Sequence, residues 1–151
     1  MKVTDILETM DYGEAPESPQ PALDWVATHQ GDFGLFIDGD FIKPKGRASF
    51  KSYNPANGEL LALLCQSEQV DVDTAVAAAR AAQGSWESIG GPARAKYLYA
   101  IARLVQKHTR LFAVLETLDN GKPIRESRDI DVPLVARHFY FHAGAAQIIE
   151  D

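Results

Sequence analysis

The chain contains one cysteine, Cys65, so no internal disulfide can brace it. No run of lysines and arginines occurs, and the net charge of −6 excludes the basic footprint of a nucleic-acid binder. No apolar stretch approaches the roughly 20 residues that a membrane-spanning helix needs. The opening Met1-Lys2-Val3-Thr4-Asp5 lacks a charged leader followed by an apolar core. The expected setting is therefore the cytoplasm, with no membrane and no nucleic acid as partner. No G-x-G-x-x-G string occurs anywhere in the chain, so no dinucleotide-binding turn can be assigned. No internal repeat is evident.

What is present is ordinary globular material: 151 residues, 46% apolar and 24% charged. Residues 1–32 have the weakest pattern. Pro16, Pro19 and Pro21 are expected to interrupt any helix between Glu14 and Ala22. Two apolar patches flank that break, Val3/Ile6/Leu7/Met10 at helical spacing and Leu23/Trp25/Val26. This part reads as an extension packed loosely on a larger body.

Residues 33–66 read as β structure. Leu35-Phe36-Ile37 and Phe41-Ile42 flank Asp38-Gly39, a two-residue hairpin signal. Phe50 to Tyr53 forms a second strand, and Asn54-Pro55-Ala56-Asn57-Gly58 a turn. Leu60-Leu61-Ala62-Leu63-Leu64-Cys65 is continuously apolar, which predicts cover on both faces. Two hairpins are too little sheet to stand alone.

From Ser67, a candidate N-cap, the period becomes helical. Val72, Ala75, Val76, Ala79, Ala82 and Trp86 share a stripe whose alanines imply close approach to a neighbour. Gly84, Gly90 and Gly91 mark the exit, and Pro92 suits the first turn of the next helix. The predicted buried face of that helix is Tyr97, Leu98, Ile101, Leu104, Val105 and His108. Thr109 is a candidate cap for a further helix, striped by Leu111, Leu115 and Leu118, that ends in Glu116-Thr117-Leu118-Asp119-Asn120-Gly121-Lys122-Pro123. Gly121 fits the left-handed position past a helix end, and Pro123 stops the helix from resuming at once. A last helix spans about Asp131 to Ile149, with Pro133 in its first turn. Its predicted apolar side is Leu134, Val135, His138, Phe141, His142, Ala145, Ile148 and Ile149.

Several of these strings, in this order, resemble the N-terminal region of NAD(P)-dependent aldehyde dehydrogenases. ETLDNGKP resembles that family's helix-ending motif. Phe36-Ile37-Asp38-Gly39-Asp40-Phe41 resembles its opening hairpin, Tyr53-Asn54-Pro55-Ala56-Asn57-Gly58-Glu59 its NPATGE turn, and Asp71 to Ala82 its alanine-rich helix, with Trp86 following. His142-Ala143-Gly144-Ala145-Ala146 resembles a later helix. Upstream, Met10 to Ser18 and then Ala22-Leu23-Asp24-Trp25 are similar to the leader of aldehyde dehydrogenase family 16.

The resemblance implies an α+β segment, β-hairpins followed by a helical layer, of the α/β aldehyde dehydrogenase fold, lacking most of the Rossmann-like sheet. Residues 1–32 would be the extension, and residues 33–151 an incomplete N-terminal part of the cofactor-binding domain. It also implies a parent enzyme that oxidises an aldehyde to a carboxylic acid with NAD or NADP and assembles as a homo-oligomer. The partner of this segment is then the remainder of the aldehyde dehydrogenase chain.

The family's cysteine nucleophile, glutamate base, oxyanion-hole asparagine and cofactor turn map onto none of these residues, so the segment alone is expected to be inert and to hold no cofactor. Cys65 follows five apolar residues with no basic neighbour, a strand cysteine rather than an activated thiol. His138 and His142, at i and i+4, lack a third metal ligand. Lys122 reads as a solvated helix-end lysine. Several members of the family hold a structural monovalent cation, and the matching positions here are Ser52, the Tyr53 carbonyl and Asp119. The alternative for Asp119 is that it stabilises its own turn. The alternative for the chain is a non-catalytic helical interaction or oligomerisation module derived from this family. Either way, apolar helix faces without a covering sheet should be exposed.

Overall fold

A computed structural model describes residues 18–149 of the chain. The leader strings at Val3 to Met10 and Met10 to Glu17 lie outside them. The first helix, α1 (Gln20–Thr28), starts where the prolines were expected to forbid one. Pro21 sits in its first turn, where a missing N–H costs nothing. Gln30 and Gly31 then take left-handed conformations and turn the chain into β1 (Asp32–Phe33).

The predicted hairpin forms as β2 (Leu35–Ile37) and β3 (Asp40–Ile42), with Asp38 and Gly39 both at positive φ. Two-residue turns of that geometry match the twist of the paired strands. β4 (Ser49–Tyr53) and β5 (Leu60–Cys65) form the second antiparallel pair. β1 adds to β5 in parallel, so the sheet order is β1-β5-β4 and β5 is central. The expected double cover of β5 is only partial. Ala62 and Cys65 are buried, Leu61, Leu63 and Leu64 are half-buried, and Leu60 is exposed.

The helical layer follows as α2 (Gln69–Ser88), α3 (Gly91–Lys107), α4 (Thr109–Asn120), a short α5 (Ile124–Glu126), a π-helical turn over Ser127–Asp131, and α6 (Val132–Ile148). Glu68, not Ser67, caps α2. Its side chain and that of Asp71 satisfy each other's backbone N–H groups in a capping box. Asp71 is the one buried residue of α2, because Arg47 reaches it with two hydrogen bonds, at 2.9 and 3.2 Å. Arg47 also pairs with Glu68 at 3.0 Å, which ties the loop before β4 to the start of α2. Gly84 is interior to α2 rather than its exit. Thr109 does not cap α4. It opens that helix, and its hydroxyl donates back to the Val105 and Gln106 carbonyls of α3.

Burial of α3 and α6 differs from expectation in a systematic way. The face α3 turns to α6 is Gly91, Ala95 and Ala102, with Leu98 and Tyr99 beside it, and α6 answers with Ala143 and Ala146. Tyr97, Ile101 and Leu104 of the predicted face are exposed, as are Leu134, Val135, His138, Phe141, His142 and Ile148 of α6. Eight of the twelve buried apolar residues among those described are alanines. Small residues let backbones approach closely, and the large side chains are left on the outer faces. The stripe of α2 is likewise mostly exposed, with Val72 at 49% and Val76 at 43%. The expected uncovered apolar surface is therefore present.

At the crossing of α3 and α6 a Cβ added to Gly91 would lie 2.0 Å from the Ala146 carbonyl oxygen. Gly91→Ala should therefore destabilise the protein by about 1–3 kcal/mol, the usual cost of overpacking. Gly84→Ala meets no atom within 4 Å and should be neutral to stabilising, by up to about 1 kcal/mol. Denaturant midpoints measured side by side check both signs.

The Asp71 carboxyl is held below its ordinary range, first by Arg47 and then by the Glu68 backbone N–H, against the opposing effect of burial. A depressed folded value means that the stabilisation is fully present above the unfolded value of about 3.9, and is lost as the pH falls through the folded one. Asp71→Asn should lower the melting temperature at neutral pH and make its decline below about pH 4 shallower. Parallel curves for variant and parent would contradict this.

Candidate functional site

The end of α4 and the turn after β4 are far apart in sequence and meet in the fold. Ser52 Oγ donates a short hydrogen bond to Asp119 Oδ1. Gly121, with φ of 75°, closes α4 in the left-handed conformation and lies against Pro55, where an added Cβ would come within 2.7 Å of the ring. The two strings singled out in the sequence, ETLDNGKP and NPANGE, thus meet at Gly121 and Pro55, and Asp119 of the first bonds Ser52, two residues before the second.

Tyr53 is half exposed and ends β4 just past an irregularity in the β4–β5 ladder between Ser52 and Tyr53. Irregularities of this kind re-aim the side chains and carbonyls next to them. Ser52 and Asp119 are therefore brought together, with Tyr53 adjacent in the chain. The turn itself is served by Asn120 rather than Asp119: Asn120 Oδ1 accepts from the Lys122 N–H at 2.8 Å. An aspartate oxygen beside a serine hydroxyl is a donor set suited to a hard cation.

Lys122 is not a free helix-end lysine. Its ammonium pairs with Asp131 at 2.5 Å and with Glu116 at 3.4 Å. Asp131 holds it above its ordinary pKa against partial burial, and Glu116 adds to the effect. Next to this bridge, Thr117 Oγ1 donates to the fully buried Ser127 Oγ at 3.2 Å. The two contacts fasten the π-helical turn to the last turns of α4. Nothing in the sequence flagged this pairing, since Lys122 and Asp131 lie on separate elements and share no periodicity. The same holds for Arg47 and Asp71.

Ser52 and Asp119 also lie on the wall of an open cleft of about 580 Å³. Apart from Glu116 its other walls are apolar and include Trp25 of α1, Phe33 of β1, Leu61 of β5, Phe112 of α4 and Val132 of α6. Trp25 and Phe33 stack at 5.6 Å, with His29 packed against both. Cys65 is buried at the end of β5. His138 and His142 are exposed, and among the described residues no three His, Cys, Asp or Glu side chains group as a metal site. No described helix is long and apolar enough to cross a membrane.

Comparison with known proteins places this arrangement. Residues 41–151 match the aldehyde dehydrogenase family. A Bacillus subtilis protein assigned as an aldehyde dehydrogenase, DhaS, is 44% identical over 117 residues, which cover 76% of this chain and 24% of that protein. The NAD+ complex of an aldehyde dehydrogenase from Bacillus cereus superposes with a TM-score of 0.77 at 32% identity, over 94% of this chain and 28% of that one. PnpE from Pseudomonas sp. WBC-3 gives a TM-score of 0.75 at 35% identity, over 79% of this chain and 24% of that one. The chain thus spans about a quarter of the length of the relatives it matches. Hairpins, helical layer and helix-ending turn are a partial aldehyde dehydrogenase fold, and the chain belongs to the aldehyde dehydrogenase family.

Proposed function

We propose that this chain is the N-terminal segment of an NAD(P)-dependent aldehyde dehydrogenase of the family 16 type, which oxidises an aldehyde to a carboxylic acid. Residues 1–32 are its extension and residues 33–151 open its cofactor-binding domain. The observation that carries the reading is a continuous family match over most of this chain that accounts for only a quarter of each relative. The exposed apolar faces of α2, α3 and α6 support it, because helices of this kind need a sheet to cover them. The family 16 assignment rests on the leader string and on Ala22-Leu23-Asp24-Trp25 in α1.

In the parent, bound NAD or NADP would supply the hydride acceptor for the oxidation. The nucleophile, base and oxyanion donors lie in the remainder of the polypeptide, which is this segment's partner within a homo-oligomer. The residues here supply framework: α3 and α6 form a closely packed pair, and the Ser52–Asp119 contact links the sheet to α4.

Two experiments test this. The whole parent should reduce NAD or NADP with short aldehydes, and residues 1–151 alone should not. Turnover by the short chain above a no-protein control overturns its inertness.

The second concerns Ser52, the Tyr53 carbonyl and Asp119 as oxygen ligands of a monovalent cation. Replacing sodium or potassium by tetramethylammonium at constant ionic strength should lower the melting temperature of the parent. That dependence should vanish in Asp119→Asn, and an equal salt response in both proteins would refute the site.

A further inference from the structure

A second cavity, of about 350 Å³, lies between the start of α1 and the junction of α3 with α4. Its floor is apolar: Ala22 and Val114 are buried, and Leu111 is half-buried. Its rim is basic, formed by Lys107, His108 and Arg110, all exposed. Among the described residues no carboxylate pairs with Lys107 or Arg110. The first turn of α4 has no acidic residue and no side-chain cap, so no carboxylate of that turn offsets His108 and Arg110 at the positive end of the helix.

Ser18, the first described residue, lies on the edge of this cavity. Residues 1–17 therefore join the described chain at the cavity mouth. Their sequence is the complement of the cavity in both respects. Val3, Ile6, Leu7 and Met10 follow i, i+3, i+4, i+7, the spacing of one helical stripe. Asp5, Glu8, Asp11, Glu14 and Glu17 give five carboxylates against one lysine, Lys2.

We propose that residues 1–17 dock intramolecularly on this cavity, setting the Val3/Ile6/Leu7/Met10 stripe on Ala22, Leu111 and Val114 and their carboxylates against Lys107, His108 and Arg110. The apolar floor supplies the burial. The basic rim sets the orientation, since a carboxylate near the first turn of α4 meets both its uncapped N–H groups and its cations. Attachment at Ser18 keeps the local concentration of the segment high, so a modest contact suffices. The inference stands on the cavity, the charges and the point of attachment, and is independent of the catalytic reading.

Hydrogen–deuterium exchange in the whole parent protein tests it. Removing residues 1–17 should speed exchange of the α4 amides from Phe112 to Leu115 by at least about tenfold. Lys107→Glu with Arg110→Glu should do the same in the intact chain. Adding Glu8→Lys and Asp11→Lys to that pair should restore protection, which separates a charge contact from simple unfolding. Exchange unchanged by the deletion would show that residues 1–17 do not cover the cavity, and would overturn the proposal. Protection that rises with protein concentration would assign the cavity to a second copy, and would overturn it equally. Charge reversal without effect, or without rescue, would refute the pairing with the basic rim.

Discussion

How near two helices can come is limited by whatever stands between their backbones, and at Gly91 that is a carbonyl oxygen with no room left for a methyl group. The rest of the molecule is arranged around this approach. Close packing of α3 on α6 is made by glycine and alanine, which bury little area per residue. The large apolar residues of the same helices are displaced to the outside, where nothing in the described residues covers them. The segment is therefore a pair of helices joined tightly at a narrow seam and open along its flanks.

Short-range features were readable from the sequence because their physics is short-range. Asp38-Gly39 fixes its hairpin through two residues that tolerate positive φ, and Gly121 ends α4 for the same reason. Helical periodicity located α2, α3, α4 and α6. It failed on which face is buried, because it weighs side chains by size and the seam is built from the smallest ones. Ala95, Ala102 and Ala143 carry almost no signal in a hydrophobic stripe, whereas Ile101 and Phe141 dominate it and point outward. Pro21 misled in the opposite direction, since a residue that breaks a helix interior opens a helix equally well.

The polar contacts were the least legible. Ser52 and Asp119 were paired only through a resemblance, and Lys122 with Asp131 not at all. Each contact joins two elements whose relative position depends on packing elsewhere. Arg47 illustrates the same limit. It stands in a loop before β4, and only the folded chain shows that it anchors the capping box at Glu68 and Asp71. These contacts lie at the joints between β4 and α4, between the Arg47 loop and α2, and between α4 and the π-helical turn. They fasten these elements to one another by charge and hydrogen bonding.

The π-helical turn at Ser127–Asp131 has a consequence of its own. Val132 donates to the Ser127 carbonyl, five residues back, so the ladder holds one residue more than an α-helix would use. The hydrogen bond that spans five residues here closes about the same rotation as the four-residue step of an α-helix. The additional residue is taken up by local widening of the turn, so the residues after it keep nearly the azimuth they would have without it. Deleting a single residue there would heal the ladder into regular α-helix and leave the alanines of α6 on the seam. The turn is thus a place where the chain can gain or lose one residue without turning α6 away from α3.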